Sequence, residues 1–248
     1  MDFACWVRHF EDAARERRGT ADPDWDQPAT ALPGGLASSL QRFQAGENGD
    51  GASLIGKAAG AGDEQYLAAV RMFVAEEQNH ARLLARVLTR AGRPAIAGHW
   101  SDTVFVAVRR ALGLRLELMT LMLAEVVALR YYRALRDGVP DPVLSDVAGR
   151  ILVDEQRHVP FHVDRLRQGL ADLPAPARWL LAAGWWTLCA GAVGVVALGH
   201  AAGLRALGVR PARFAVDVAG LFHGVVRDVL GAGRHGTHAV EPAATRPG

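Results

Sequence analysis

The same three-residue pattern occurs twice in the sequence, and the second copy lies 78 residues after the first. In each copy a glutamate is followed thirty residues later by a Glu-x-x-His segment: Glu47, Glu77 and His80 in the first copy, Glu125, Glu155 and His158 in the second. Antiparallel four-helix bundles bind two metal ions with this set, one Glu from each of two helices and a Glu-x-x-His from each of the other two. The pattern therefore predicts an all-α fold and a two-metal site together.

Helix-breaking residues fall where such a bundle needs turns. The midpoint between the two glutamates of the first copy is Gly62, and that of the second copy is Pro140. Residues equally far from the turn of an antiparallel hairpin lie level with one another, here about 20 Å from the turn at 1.5 Å per residue. The sequence thus predicts these helices: 37–59, 63–91, a short crossover helix over 101–112, a third ending near 136, and a fourth ending before Pro174.

Glu125 is the most informative member of the pattern, because it is the only charged residue between Leu118 and Leu129. Burying a lone carboxylate costs several kcal/mol, and a metal ion would compensate that cost. Taken alone, Glu125 could equally be a helix-face glutamate that reaches solvent. The joint pattern favours the metal-binding interpretation, because two equally spaced copies, each centred on a turn, rarely arise by chance.

Four further residues near the pattern have open interpretations. Metal-binding histidines commonly donate their second ring N–H to a carboxylate. Asp154 precedes Glu155 and Glu76 occupies the equivalent place in the first copy, so both are candidates for a second layer around the metals; the alternative is an ordinary acidic helix surface. Tyr131 and Tyr132 follow Glu125 by two helical turns. They could carry electrons or protons, but packing at a helix end is the preferred interpretation.

Outside the bundle the sequence divides into further segments: 1–36, an N-terminal helix and connector; 37–172, the bundle; 173–232, apolar C-terminal helices packed on it; and 233–248, a disordered tail. The stretch 179–204 contains no Asp, Glu, Lys or Arg and is long enough to span a bilayer. Its five glycines lower its hydrophobicity and suit close helix packing. Burial against the bundle or in a homodimer interface is expected, and peripheral membrane contact is the alternative.

Charge and cysteine content exclude several classes of protein. The net charge of +2 is too small to indicate a nucleic-acid partner. The two cysteines, Cys5 and Cys189, are far apart, so the chain has neither a disulfide framework nor a four-cysteine zinc or iron site. The N-terminus lacks the uninterrupted apolar stretch of a signal peptide, and a cytoplasmic location is therefore expected.

These motifs resemble those of a known superfamily. The six residues of the repeat, with the string Asp-Glu-Gln-Arg-His at 154–158, resemble the di-iron carboxylate branch of the ferritin-like superfamily. The Asp-Glu-x-Arg-His string is similar to the one in bacterial multicomponent monooxygenases. Segments 42–47 and 73–77 resemble a group of bacterial ferritin-like domain proteins that lack an assigned substrate. The resemblance covers about residues 37–172.

The resemblance implies a ferritin-like four-helix bundle with a long crossover and extra helices at both ends. It further implies that Glu77 and Glu155 bridge two iron ions. Glu47 with His80 would complete one metal site, and Glu125 with His158 the other. Fe/Fe and Mn/Fe pairs both remain open, because their ligand sets overlap.

The expected activity is that of an O2-activating oxidase or oxygenase, which acts on a small organic substrate with an unidentified electron donor. Apolar residues around the metals would exclude water. The alternative is a ferroxidase, an iron-handling protein or a peroxide scavenger. About seventy-five residues follow the bundle, which argues against a storage shell. The lack of a four-cysteine iron domain argues against a rubrerythrin-like peroxidase.

Overall fold

The computed structural model describes residues 2–96 and 113–231, and within these ranges the chain is helical without any strand. The helices are α1 (Phe3–Gly19), α2 (Gly34–Glu47), α3 (Ala52–Ala59), α4 (Glu64–Arg90), α5 (Leu114–Gly138), α6 (Pro142–Leu170), α7 (Ala175–Gly199), α8 (Ala201–Ala206) and α9 (Pro211–Leu230). The all-α prediction is confirmed. The expected short helix over 101–112 and the tail over 233–248 lie outside the described residues.

The bundle consists of α4, α5, α6 and the α2–α3 pair, with α2 on α4 and α5 on α6. Helix α4 begins after Asp63, whose side chain accepts a 2.9 Å hydrogen bond from the backbone N–H of Tyr66. Helix α6 begins after Asp141, which accepts one of 2.8 Å from the N–H of Leu144. Such N-caps satisfy backbone donors that a helix start leaves free. Both lie at the turns that the sequence predicts.

The prediction of one continuous helix over 37–59 is wrong. Helix α2 starts earlier, at Gly34, and ends at Glu47, so four residues separate it from α3. Within this break Gly51 has a φ of 65°, in the left-handed region that glycine adopts without steric cost. A Cβ at this position would collide with Val74 of α4. The local sequence Asn-Gly-Asp-Gly therefore ends the helix and lets the backbone approach α4 closely.

Helix α1 closes one side of the bundle with aromatic side chains. Phe3, Trp6 and Phe10 are buried, and the Phe10 ring lies edge-on to Phe161 of α6 with centroids 5.3 Å apart. The Trp6 indole N–H donates a 2.9 Å hydrogen bond to Asp164. Helix α1 is thus part of the hydrophobic core, although it lies outside the repeated pattern.

The C-terminal helices add a second layer on one side of the bundle. Helix α9 contacts α5, α6 and α7, and Trp185 of α7 donates a 2.8 Å hydrogen bond to the Met119 carbonyl of α5. Helix α7 buries only one face; Trp179 is 70% exposed and Leu198 79%. Among the described residues, α7 is the one helix whose length and apolar composition would allow it to cross a membrane.

Candidate metal centre

The six residues of the repeat lie on four helices and converge inside the bundle. Their side chains form two overlapping groups, in each of which one ligand atom per residue lies within 4.8 Å of the others: Glu47, Glu77, His80 and Glu155 in the first, Glu77, Glu125, Glu155 and His158 in the second. Glu77 and Glu155 belong to both groups. Two positions with four ligands each therefore share two glutamates.

The atoms that face the middle of this cluster have no hydrogen-bond partners. His80 and His158 are completely buried, and Glu125 and Glu155 nearly so. The orphaned atoms are Nδ1 of both histidines, Oε1 of Glu77, and Oε2 of Glu125 and Glu155. Buried polar atoms without partners are rare and costly. Two cations would satisfy all five atoms, so the donor set fits a pair of metal ions.

The outward nitrogens of the two histidines are held by carboxylates. His80 Nε2 lies 3.1 Å from Asp154 Oδ2, and His158 Nε2 lies 2.9 Å from Glu76 Oε2. Each acid thus contacts the histidine of the other copy of the pattern. A neutral imidazole that donates from Nε2 has an unprotonated Nδ1, which here lies at the cluster, and this is the tautomer that a metal ligand requires.

Two arginines neutralise these outer carboxylates. Arg17 Nη2 lies 2.6 Å from Glu76 Oε1, and its Nη1 lies 2.8 Å from Asp154 Oδ1. Arg157 contacts the same two acids. Two buried negative charges are therefore matched by two positive charges behind the histidines.

Arg17 is absent from the residues that the sequence predicts, because α1 lies outside the repeat. A signal was present in the spacing of this helix. Arg17 continues the series of buried α1 positions, which follow one another at intervals of three and four: Phe3, Trp6, Phe10 and Ala13. An arginine at the end of such a stripe lies on the buried face of its helix and needs an acidic partner there.

Tyr132 contacts the centre directly, so packing is only part of its role. Its hydroxyl donates a 2.6 Å hydrogen bond to Glu47 Oε1. Burial raises the pKa of Tyr132 well above its usual value, and the Glu47 carboxylate raises it further, so the phenol keeps the proton that it donates. Neighbouring Tyr131 is hydrogen-bonded to Ser39 instead, at 2.9 Å, and stacks on Phe43.

The cluster is electrostatically strained without cations. Burial raises the pKa of both Glu47 and Glu125 well above the usual value, and the neighbouring carboxylates raise it further. Burial also opposes ionisation of Glu77, but His158 Nδ1 at 3.2 Å and His80 Nδ1 at 3.5 Å favour its charged form and lower the pKa of Glu77. Glu47 and Glu125 therefore favour their protonated forms, and cations can replace those protons.

Comparison with known proteins gives matches at the level of structure. No protein-family model matches the sequence, and no curated protein matches it. A tyrosine-to-phenylalanine variant of an R2-like ligand-binding oxidase, with an anaerobically reconstituted Mn/Fe cofactor, superposes with a TM-score of 0.64 at 16% identity, covering 90% of this chain and 93% of that chain. A glutamate-to-aspartate variant with an aerobically reconstituted Mn/Fe cofactor gives 0.63, with the same identity and coverage. At this identity the likeness concerns the fold, and the chain therefore has the ferritin-like helical-bundle fold of these oxidases.

Proposed function

We propose that the protein is a di-metal oxidase or oxygenase, which uses two iron ions, or one manganese and one iron, to oxidise a small organic substrate with O2. The observation that carries this proposal is the pair of four-ligand groups with buried, orphaned atoms that share Glu77 and Glu155. Mixed carboxylate and imidazole ligands suit iron and manganese. The similar solved structures are oxidases with Mn/Fe cofactors, which supports the same chemistry here.

Each ligand has a role that follows from its position. Glu77 and Glu155 would bridge the two ions, because both lie in both groups. Glu47 with His80 would complete one position, and Glu125 with His158 the other. The metal pair, when bound, supplies the electrons that reduce O2. Asp154 and Glu76 fix the histidine rings, and Tyr132 holds the Glu47 carboxylate through its hydroxyl proton.

The two positions differ in their access to solvent. Glu47 and Glu77 are half-buried, whereas Glu125 and Glu155 are buried. The break between α2 and α3 directly follows Glu47. We infer that O2 and the substrate approach from the Glu47 side, where the backbone is not continuous helix.

Apolar side chains near His158 and Glu125 would exclude water from that side of the centre. Phe73 is buried and lies edge-on to His158, with ring centroids 4.7 Å apart. Met122, Val126 and Leu129, on the same helix as Glu125, are buried as well. Such a wall protects a reactive oxidant from side reactions with solvent and strengthens electrostatic interactions inside the site.

Anaerobic reconstitution with Fe(II) tests this proposal. Metal analysis after gel filtration is expected to give two ions per chain, and exposure to O2 is expected to oxidise both ions with stoichiometric O2 uptake. An added electron donor should then permit a second cycle on the same ions. A wild-type chain that retains no pair of ions would refute the proposal.

The same experiment separates the oxidase from an iron-handling protein. An oxidase keeps its two ions, so further Fe(II) is not consumed after the first cycle. Continuous oxidation of added Fe(II), with many irons accumulated per chain, would instead identify a ferroxidase or a storage protein. A Glu155→Ala variant serves as the matched control in both assays, because it removes a ligand from both positions.

A further inference from the structure

Helix α7 presents an apolar strip that no other described part of the chain covers. Its opposite face is buried against α9 and α5 through Trp185, Cys189, Val193 and Ala197. The strip consists of seven exposed residues that follow one another at mostly three- and four-residue intervals: Leu180, Gly184, Thr187, Leu188, Gly191, Val195 and Leu198. We call this set the α7 strip. Residues at such intervals lie along one face of a helix.

The α7 strip is large and uncharged. Leu180 is 64% exposed and Val195 51%, and the range 179–204 contains no Asp, Glu, Lys or Arg. A large apolar side chain presents on the order of 200 Å². The four large side chains of the strip, which are between 45% and 79% exposed, therefore present roughly 500 Å², more than half of the ~800 Å² per partner of a stable interface. Such a patch is at the upper limit for a monomer.

The centre of the strip is shaped for close approach of another helix. A Cβ built on Gly184 or on Gly191 would meet no atom within 4 Å, so the backbone at both positions faces open space. Small residues let two helix backbones come close together. Leu180, Val195 and Leu198 lie towards the two ends of the strip, whereas Leu188 lies between the two glycines.

The strip is also nearly symmetric along its length. Gly184 and Gly191 are equally far from the point between Thr187 and Leu188, and so are Leu180 and Val195. Two copies of α7 that pack antiparallel about a two-fold axis through this point therefore place glycine against glycine. Leu180 of one protomer then faces the partner's Val195. A two-fold interface requires this kind of self-complementary surface.

We propose that the α7 strip is the interface of a homodimer, in which two α7 helices pack antiparallel about a two-fold axis near Thr187. A lipid surface fits the strip less well. Helices that lie on membranes carry Lys and Arg on a polar face, where they bind anionic headgroups. The polar face is missing in α7, because the side opposite the strip is buried against α9 and α5. The dimer does not depend on the metal centre.

Light scattering on the 248-residue chain measures its mass in solution and so tests whether a second copy covers the strip. The wild type is expected to have twice the chain mass of 26.5 kDa at micromolar concentration. A Leu180→Glu, Gly191→Glu double variant is expected to be monomeric, with an unchanged far-UV circular dichroism spectrum. Val216→Glu provides the matched control and should remain dimeric, because Val216 is exposed but lies on α9, outside the strip. A monomeric wild type, or a dimeric double variant, overturns the proposal.

Disulfide trapping tests the antiparallel arrangement in a Cys5→Ser background; Cys189 is buried and can stay. Copies of position 187 lie next to the axis, so a Thr187→Cys variant is expected to cross-link under mild oxidation. Copies of position 180 lie about 22 Å apart along the helices, beyond the ~4.4–6.8 Å between Cα atoms that a disulfide spans. A Leu180→Cys variant is therefore expected to stay uncrosslinked. Cross-linking at both positions, or at neither, contradicts this arrangement.

Sedimentation with vesicles of phosphatidylcholine and phosphatidylglycerol addresses the membrane directly. The wild-type dimer is expected to stay in the supernatant. A chain that pellets with these vesicles, and loses this property in the Leu180→Glu, Gly191→Glu variant, would identify the strip as a lipid-binding face and overturn the dimer.

Discussion

The two halves of the candidate metal centre repeat in sequence but differ in their surroundings. In the first half, α2 to α4, Glu47 is the last residue of its helix and is half-buried. In the second half, α5 and α6, Glu125 lies in the middle of a continuous helix and is buried. Equal spacing thus gives equivalent ligand positions, but it does not give equivalent environments.

The difference arises from the residues that follow each glutamate. Asn48 to Gly51 end α2 immediately after Glu47, whereas Val126 to Leu129 continue α5 after Glu125. A helix C-terminus carries partial negative charge, which disfavours a carboxylate there. Tyr132, from the second half, compensates by donating a hydrogen bond to Glu47. The first half is therefore the more open one and depends on the second for support.

Removing a shared ligand should have the largest effect. Glu155 lies in both ligand groups and Glu125 in only one. We expect Glu155→Ala to reduce the metal content from two ions per chain towards none, and Glu125→Ala to reduce it to one. Metal analysis after dialysis against a weak chelator measures both. Equal losses in the two variants would contradict the assignment of Glu155 as a bridging ligand.

Replacing the two outer carboxylates, Asp154 and Glu76, by their amides tests whether each half of the centre supports the histidine of the other half. Asp154→Asn changes the partner of His80, and Glu76→Gln changes the partner of His158. Loss of such a partner weakens metal binding about 10–100-fold. We expect Asp154→Asn to weaken the ion on the Glu47 side and Glu76→Gln the ion on the Glu125 side.

Calorimetric titration in single-position backgrounds can assign these effects. Glu125→Ala leaves only the position on the Glu47 side, and Glu47→Ala leaves only the other. Each outer-acid substitution should act in one background and leave the affinity in the other within about two-fold. An effect of Asp154→Asn confined to the Glu125 side would show that the acids act on the histidine of their own half.

Asp141, at the start of α6, links the two halves because it forms an ion pair with Arg90 of α4. Burial opposes its ionisation, but the N–H groups of Thr30 and Leu144 and the Arg90 guanidinium outweigh burial and lower its pKa below the usual 3.8. Its contribution to stability is therefore complete above pH 4 or so and is lost as the pH falls through the lowered pKa. Asp141→Ala should lower the free energy of unfolding by about 2 kcal/mol at neutral pH, since it removes a cap and leaves a cation unpaired.

Urea denaturation at pH 7 and at pH 3 checks this prediction. The difference between wild type and Asp141→Ala should shrink at the lower pH. Asp146→Ala is the matched control on the same helix, because Asp146 forms only an exposed pair with Arg150. Exposed pairs of this kind contribute roughly 0.5 kcal/mol or less. Equal effects of the two substitutions would show that Asp141 does not link the halves.

The sequence predicted the parts of the site that depend on spacing. The six repeat residues converge, and Asp154 and Glu76 contact the histidines, because helix periodicity places them there. The break after Glu47 was missed, although Asn48 to Gly51 supply the residues that end the helix. The close approach of Gly51 to α4, which this break permits, is a contact between distant segments. Arg17 was missed because its contacts also join distant segments. Its partners lie 59 and 137 residues further along the chain, and no local pattern specifies them.

Tyr132→Phe should have the smallest effect, and it tests the asymmetry most directly. The substitution removes the 2.6 Å hydrogen bond to Glu47 and keeps the buried ring. One such bond contributes about 1 kcal/mol, so affinity for the ion on the Glu47 side should fall about five-fold. Titration in the Glu125→Ala background measures this fall. Tyr131→Phe removes only the bond with Ser39 and should leave the affinity unchanged. If both substitutions lowered the affinity equally, packing of the rings rather than the Tyr132 hydroxyl would hold Glu47 in place.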